Sequence, residues 1–459
     1  MAEISARKRI WGWFFFDWAS QPYHTVLMTF IFGPFFVSVA SAYYMSMGLG
    51  EELADANAQS YWSLGQTFIG LFIGICAPFL GAMADTTGRR RPWIYLFSLM
   101  YILGAAGLWW SNPDGSNLLQ MIVVFGVGFI GAEFALIFVN AQLPLLGSKE
   151  EIGKISGSGF AFGYIGGLIA LAIMLALFVA QPNGKTLIGL DPALGLDPEM
   201  REGTRLAGPV AALWYLVFMV PYFLWVKVDR ATGKKASASV ALSSIMGTLR
   251  GLRKRVSAAA YLGSSMFYRD ALNGLYAFGG TYASLVLNWN IVSIGVFGIV
   301  SGSAAALFSW MGGKFDSKFG PKPVIITAIW FLMFVVLVIV NMTRESLFGF
   351  ALPEGSNLPD IIFFGCGMLI GGMGGILQAA SRTLMTRHTT PENATESFGL
   401  YGLSGRATAF LAPALIFTVT TMTGSARLGV SPLIGLFLIG LFLLRWVKPE
   451  GESEQWETL

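Results

Sequence analysis

Twelve stretches long and apolar enough to cross a bilayer fill most of the chain, and no other feature constrains its fold as strongly. They lie near 11–42, 61–83, 93–111, 118–144, 156–180, 209–226, 259–287, 291–311, 323–342, 360–385, 397–423 and 430–447. A helix needs about 20 apolar residues to cross roughly 30 Å of hydrocarbon. Without water to satisfy backbone amides there, only helices and closed barrels can span it. Composition agrees, since 54% of the 459 residues are hydrophobic and 12% are charged, about half the charge of a soluble surface. The expected fold class is all-α integral membrane, with 12 transmembrane helices. The first run follows Arg7, Lys8 and Arg9 as a signal peptide would, but it is too long, carries Asp17 and lacks a small-residue cleavage site. It reads as a retained first helix.

Short cytoplasmic loops hold the excess of Lys and Arg. Of the 30 basic residues, 23 fall on one side of the runs and 5 on the other, with Arg269 and Arg406 inside the membrane. An even number of crossings then puts both termini in the cytoplasm. The formal charge of +4 sits in short gaps and forms no basic domain, so no nucleic-acid partner is expected. Cys76 and Cys366 both fall in apolar runs and read as inert packing residues. The longest cytoplasmic gap separates six runs from six, giving an N-terminal bundle over 1–226, a linker over 227–258, and a C-terminal bundle with a short tail over 259–459. Within the linker, Leu242, Ile245, Met246, Leu249 and Leu252 recur at helical spacing before Arg250, Arg253, Lys254 and Arg255. An amphipathic helix lying on the anionic inner leaflet, or a plain tether, fits that pattern.

The gap after the second run holds Gly81, Asp85, Gly88, Arg89, Arg90 and Arg91. The gap after the eighth holds Gly312, Asp316, Gly320 and Lys322. The first resembles the loop between helices 2 and 3 that marks the major facilitator superfamily, and the second is an imperfect copy, with four steps from acid to glycine in place of three. With the six-and-six division, this implies two pseudo-symmetric six-helix bundles rocking about a midplane site. Asp85 is expected to face the amino end of the eleventh helix near Ser397 and Gly399 and to act as a latch; Asp85→Asn would then leave the protein folded and slow transport.

Two further stretches narrow the resemblance. The first run carries Trp11, Gly12, Trp13, Asp17, Trp18 and Ala19. The tenth carries Gln378, Ala379, Ser381 and Arg382, followed by Phe398, Gly399, Tyr401, Gly405 and Arg406. These resemble the bacterial relatives of the fungal vacuolar amino-acid effluxer, a major-facilitator branch sharing Asp-Trp in helix 1 and Gln-Ala-x-Ser-Arg in helix 10. The resemblance implies the fold, and it implies amino-acid export.

A charge at bilayer depth costs about 2.5–3.5 kcal/mol on insertion scales, so it usually faces a bundle interior or a water-filled cavity. Asp17, Glu133, Arg269, Asp270 and Arg382 fall on the first, fourth, seventh and tenth helices, which line the central cavity in the superfamily; Arg406 falls on the eleventh. Residues three, four or seven apart share a helix face. Asp17 thus aligns with Gln21 and His24, Glu133 with Asn140, Arg269 with Asn273 and Tyr276, and Gln378 with Arg382. Either these are interhelical ties or they form a polar site. As a site, Arg269 or Arg406 would hold a substrate carboxylate, Asp17 or Glu133 an ammonium group, and Asp270 or Glu133 a coupling proton. Glycines of helix 5 (Gly157, Gly163, Gly166, Gly167) and helix 10 (Gly371, Gly372, Gly374, Gly375) are expected to serve close packing ahead of hinge motion.

No Walker loop, dinucleotide fingerprint or zinc-spaced Cys/His group occurs in the sequence, so neither an enzyme nor a cofactor is expected. The expected function is a proton-coupled secondary transporter, an exporter of a neutral amino acid or similar zwitterion. A lipid-handling protein, a sensor, or an exporter of drugs or sugars on the same fold are the alternatives. Its expected partners are the small-molecule substrate, protons and the lipid bilayer, and it is expected to act as a monomer in the bacterial inner membrane, or a vacuolar membrane in a eukaryote.

Overall fold

The first apolar run is too long for one regular span, and Pro22 within it lacks an amide. In a computed structural model the chain there passes from α1 (Ala6–Pro22) through a π-helix (Tyr23–Phe30) into α2 (Phe32–Ser46). The structure describes residues 4–452 apart from 228–237, 288, 290, 354 and 391, so Arg230, Lys234 and Lys235 of the linker lie outside it. The next four runs are α3 (Glu51–Thr87), α4 (Arg91–Gly107), α5 (Leu118–Asn140) and α6 (Ile152–Leu177). A short α7 (Glu202–Arg205) precedes the sixth, which is divided into α8 (Ala207–Phe218) and α9 (Val220–Trp225). After α10 (Ala238–Leu252) come α11 (Val256–Leu285), α12 (Ile291–Phe319) and α13 (Pro321–Val340). A short antiparallel hairpin not foreseen from the sequence, β1 (Ser346–Leu347) with β2 (Phe350–Ala351), leads to α14 (Leu358–Arg387). The eleventh run breaks into α15 (Ala394–Ala407) and α16 (Leu411–Thr423), and α17 (Ala426–Gly429) and α18 (Pro432–Leu444) complete the chain.

Among the described residues, 11 helical stretches have the length and hydropathy of a membrane span. The twelfth, α11, is 30 residues long, and its mean hydropathy is pulled down by Arg269, Asp270 and several tyrosines. All 12 expected crossings are therefore helical, in a multi-pass membrane protein.

Two compact units can be described. The first comprises Met1–Cys76, Gly88–Val139 and Phe162–Ala231; the second comprises Ala77–Thr87, Asn140–Ala161 and Thr232–Leu459. In the first, buried aromatics carry polar tips that must find partners. Tyr23 Oη donates to the Phe125 carbonyl at 2.6 Å, Trp13 Nε1 to Val139 O at 3.1 Å, and Trp214 Nε1 to Trp18 O at 3.1 Å. Helix α6 meets α1 through small residues: a Cβ on Gly163 would lie 3.1 Å from the Asp17 carbonyl, and one on Gly166 would lie 2.8 Å from the Trp18 ring. In the second unit a Cβ on Gly371 would overlap the Ser301 carbonyl, and one on Gly372 the Phe308 ring. These glycines admit a neighbouring backbone or ring that any side chain would displace.

Candidate functional site

In the first unit the polar residues gather where α1 gives way to the π-helix. Asp17, 8% exposed, packs on Gly163, and one turn on Gln21 Nε2 donates to Thr25 Oγ1 at 3.3 Å. His24, inside the π-helix, places Nε2 3.6 Å from Glu133 Oε1 of α5 and meets the Phe129 ring edge-on. A π-turn holds one residue more than the hydrogen-bonding pattern of an α-turn and is frequent at functional positions. Here it lies in the helix that supplies one member of an acid–imidazole pair. Spacing did relate Asp17, Gln21 and His24, but the His24–Glu133 contact depends on the packing of α5 and was not legible in sequence.

In the second unit the counterpart is the break between α15 and α16. Asp270, 1% exposed on α11, accepts the Ala412 amide at 2.9 Å, one of the amides left without a carbonyl partner in the first turn of α16. Thr408, within the break, donates from Oγ1 to Met266 O at 3.1 Å. Among the described residues Asp270 makes no ion pair. Its neighbour Arg269 turns away, with the guanidinium 4.3 Å from the centre of the Tyr401 ring and Nη1 donating to Tyr401 O at 2.9 Å. Close contact with Gly405 leaves no room there for a Cβ. Arg406 occupies the last turn of α15. Farther along α11, Asn273 and Tyr276 are exposed, and Gln378 Nε2 reaches Tyr276 Oη at 3.5 Å.

The remaining family-motif residues build a seam within the second unit. Arg382, 2% exposed, donates Nε to Ser156 Oγ at 3.0 Å, Nη2 to Ser156 O at 2.8 Å and Nη1 to Asn140 Oδ1 at 3.0 Å, and stacks 4.2 Å over Phe160. Ser381 receives Tyr261 Oη on its carbonyl at 2.5 Å and pairs its hydroxyl with Tyr268 Oη at 2.8 Å. The Gln-Ala-x-Ser-Arg element thus fastens α14 to α11 and to the start of α6. Ser156 and Asn140, which complete the Arg382 site, come from a different region of sequence; Ser156 had no distinguishing signal.

The two glycine loops belong to the same seam. Asp85 accepts Thr395 Oγ1 at 2.6 Å and the Glu396 amide at 2.8 Å, which places it at the amino end of α15 as expected. Gly81 packs close enough that a Cβ would lie 2.6 Å from the Thr395 carbonyl. Gly88 and Gly320 both take the left-handed conformation, at φ +65° and +84°, which favours glycine. Counted back from that glycine, the residue matching Asp85 is Ser317. Its Oγ accepts the Lys154 amide at 2.9 Å, and Lys154 is the third residue of α6 just as Glu396 is the third of α15. Asp316 lies one position earlier, 1% exposed, against Gly153, where a Cβ would sit 2.6 Å from its Cγ. The fourth step in the second copy therefore moves the cap from the acid to the serine. Arg89 is exposed, and Arg90 is buried at the start of α4.

Residues 448–452 are bound to the same region. Glu450 pairs with Lys149 at 2.5 Å and Arg387 at 2.7 Å, contacts that hold its carboxyl below the usual range. Glu452 Oε1 accepts the Ser257 amide at 3.1 Å. Ser257 Oγ in turn accepts the Lys448 amide at 2.7 Å and lies 2.8 Å from His388 Nε2. Burial pushes the His388 imidazole below its ordinary value.

The family pattern described as "Vacuole effluxer Atg22 like" matches residues 5–455. The chain belongs to that family. The Atg22-like chain is 24% identical over 446 residues to the MFS-type transporter YxiO of Bacillus subtilis, itself uncharacterized, covering 96% of this chain and 95% of that one. It is 22% identical over 356 residues to autophagy-related protein 22 of Coccidioides immitis, covering 73% of this chain and 53% of that protein, so it spans about half of the fungal relative. Among solved structures, it superimposes on the proton:xylose symporter XylE with a TM-score of 0.72 at 12% identity, covering 98% of this chain and 99% of that one. It also superimposes on FucP in the outward conformation with a TM-score of 0.62 at 13% identity, covering 96% of this chain and 98% of that one. These likenesses show the major facilitator fold, and the Atg22-like chain is a transporter of the MFS type.

Proposed function

We propose that this Atg22-like transporter exports a small zwitterionic metabolite of the neutral amino-acid class, together with a proton, by alternating access. It would act as a monomer in the bacterial inner membrane with both termini in the cytoplasm. The observation that carries this reading is that each unit places an ionisable group where a membrane helix departs from α geometry: the His24–Glu133 pair at the π-helix and Asp270 at the α15–α16 break. Discontinuous membrane helices expose backbone groups that can serve an ion or a charged substrate.

In this scheme the ionised Asp270 occupies the positive amino end of α16. Protonation removes its negative charge, weakens its hold on the Ala412 amide and frees that end for a substrate carboxylate. Arg269 donates Nη1 to Tyr401 O, and its guanidinium has five donors, enough to receive a carboxylate as well. In the first unit, taken by itself, Glu133 or Asp17 is the acid suited to an ammonium group. Release of the proton from Asp270 returns the carboxylate to α16 and displaces the substrate, which couples the two movements.

Purified protein in proteoliposomes with an imposed pH gradient tests this. Efflux of an amino acid found by ligand-dependent thermal stabilisation is expected to follow the gradient. Asp270→Asn is expected to retain exchange of labelled for unlabelled substrate while losing the response to the gradient. Transport indifferent to the gradient, in both the native chain and Asp270→Asn, would overturn proton coupling.

A further inference from the structure

Helix α10 has no acidic residue along its length, and Arg253, Lys254 and Arg255 follow directly. One side of it is turned inward: Ala241 is fully buried, and Ser244 and Thr248 are half-buried. Another side is bare. Leu242 is 57% and Met246 43% exposed, Arg250 continues that row at the next four-residue step, and Arg253 and Lys254 follow in the turn just past the end of the helix. Two apolar side chains followed by exposed Arg250, Arg253 and Lys254 fit an interfacial helix whose apolar side enters the headgroup boundary while its bases meet negative phosphates.

The inward side connects this surface to the seam. Ser244 Oγ donates to Glu396 Oε2 at 2.7 Å, and the amide of the same Glu396 is the one held by Asp85. Glu396 is 3% exposed, so its carboxylate is fixed between α10 and the first turn of α15. Movement of α10 relative to the bilayer would act on a residue that the α3–α15 contact requires.

We propose that α10 docks on an anionic phospholipid surface and that this docking, transmitted through Ser244 and Glu396, sets how readily the α3–α15 seam opens. This docking depends on neither the cargo nor the coupling ion, and it is read without transport, so failure of the proposed export activity would leave it unaffected.

The test uses full-length protein with Cys76 and Cys366 replaced by alanine, reconstituted in phosphatidylcholine vesicles with or without about one third phosphatidylglycerol. Ser243→Cys carries a fluorophore to report contact with quencher-bearing lipids, and Ala77→Cys, at a position with no exposure, reports seam opening by its rate of maleimide labelling. The anionic vesicles are expected to deepen quenching and to change the Ala77→Cys rate at least threefold. The combined Arg250→Gln, Arg253→Gln and Lys254→Gln variant is expected to lose both responses. Ser244→Ala is expected to keep the quenching response and lose the labelling response. Equal quenching in neutral and anionic vesicles overturns the docking, as does a charge-neutralised chain that still responds. A labelling rate indifferent to lipid in the native chain, or a lipid response that persists in Ser244→Ala, overturns the transmission. Should the triple variant fail to fold by thermal unfolding, Arg250→Gln alone must reduce both responses.

Discussion

Replacing Asp85 with alanine removes two hydrogen bonds to an ionised acceptor, from Thr395 Oγ1 and the Glu396 amide. Bonds to a charged group contribute about 1.5–3 kcal/mol each. In the opened state both donors and the carboxylate regain water, so the lower end of that range applies, giving a combined loss of roughly 3 kcal/mol. At about 1.4 kcal/mol per tenfold, the open population of the α3–α15 seam should rise roughly 150-fold. Asp85→Asn keeps an acceptor oxygen but no charge, and about 1 kcal/mol, or roughly fivefold, is expected for it. The labelling rate of Ala77→Cys measures this population, because Ala77 has no exposure and a Cβ on Gly399 would lie 2.7 Å from its carbonyl. Unfolding temperatures should fall only slightly, since the helices remain packed elsewhere. Equal labelling in the native chain and Asp85→Ala would refute the latch and leave the loop a topological necessity only.

Arg382→Lys loses the fork that reaches Ser156 twice and Asn140 once, and should cost about 2 kcal/mol or more, read as a lowered unfolding temperature in detergent; an unchanged temperature would show the seam tolerates a point charge. Gly371→Ala should destabilise by roughly 1–3 kcal/mol, because its Cβ overlaps the Ser301 carbonyl. Gly365→Ala in the same helix meets nothing within 4 Å and should be neutral or slightly stabilising, so equal unfolding temperatures for the two would contradict the packing. His388 is held below its ordinary value of 6.5 by burial, so the unfolded chain binds the extra proton and acid works against the fold. Attachment of residues 447–452 should weaken as pH falls below about 6.5 and continue to weaken down to the folded value. Hydrogen exchange in that segment, corrected for intrinsic rate, measures this, and His388→Gln should flatten the dependence.

Membrane-spanning helices are legible from sequence because the bilayer imposes a length and a polarity on each segment separately. That is why α13, free of charge after Lys322, and even α11, interrupted by Arg269 and Asp270, could be located by counting alone. Asp85 and its place beside α15 could be expected because a glycine turn next to an acid is a local pattern with one plausible partner, a helix start. The partners of Arg382 were not legible. Helical spacing aligned it with Gln378, yet its donors are taken by Ser156 and Asn140, whose approach depends on helices adjoining only after folding. Ser317 is hidden for a related reason: it is uncharged beside Asp316, whereas the backbone counts from the left-handed glycine. The break at 408–410 has a local cause in Pro413, which offers no amide to the 409 carbonyl and crowds that turn, but an apolar run counted by length alone passes straight through it.

The exchange of a carboxylate for a hydroxyl between the two copies of the glycine loop makes the clasps unlike in kind. One works partly through an electric field that dissolved ions can dampen; the other is a neutral bond that ions leave alone. Raising ionic strength should therefore relax the two clasps unequally, so a likeness kept in backbone geometry does not extend to how each answers its surroundings.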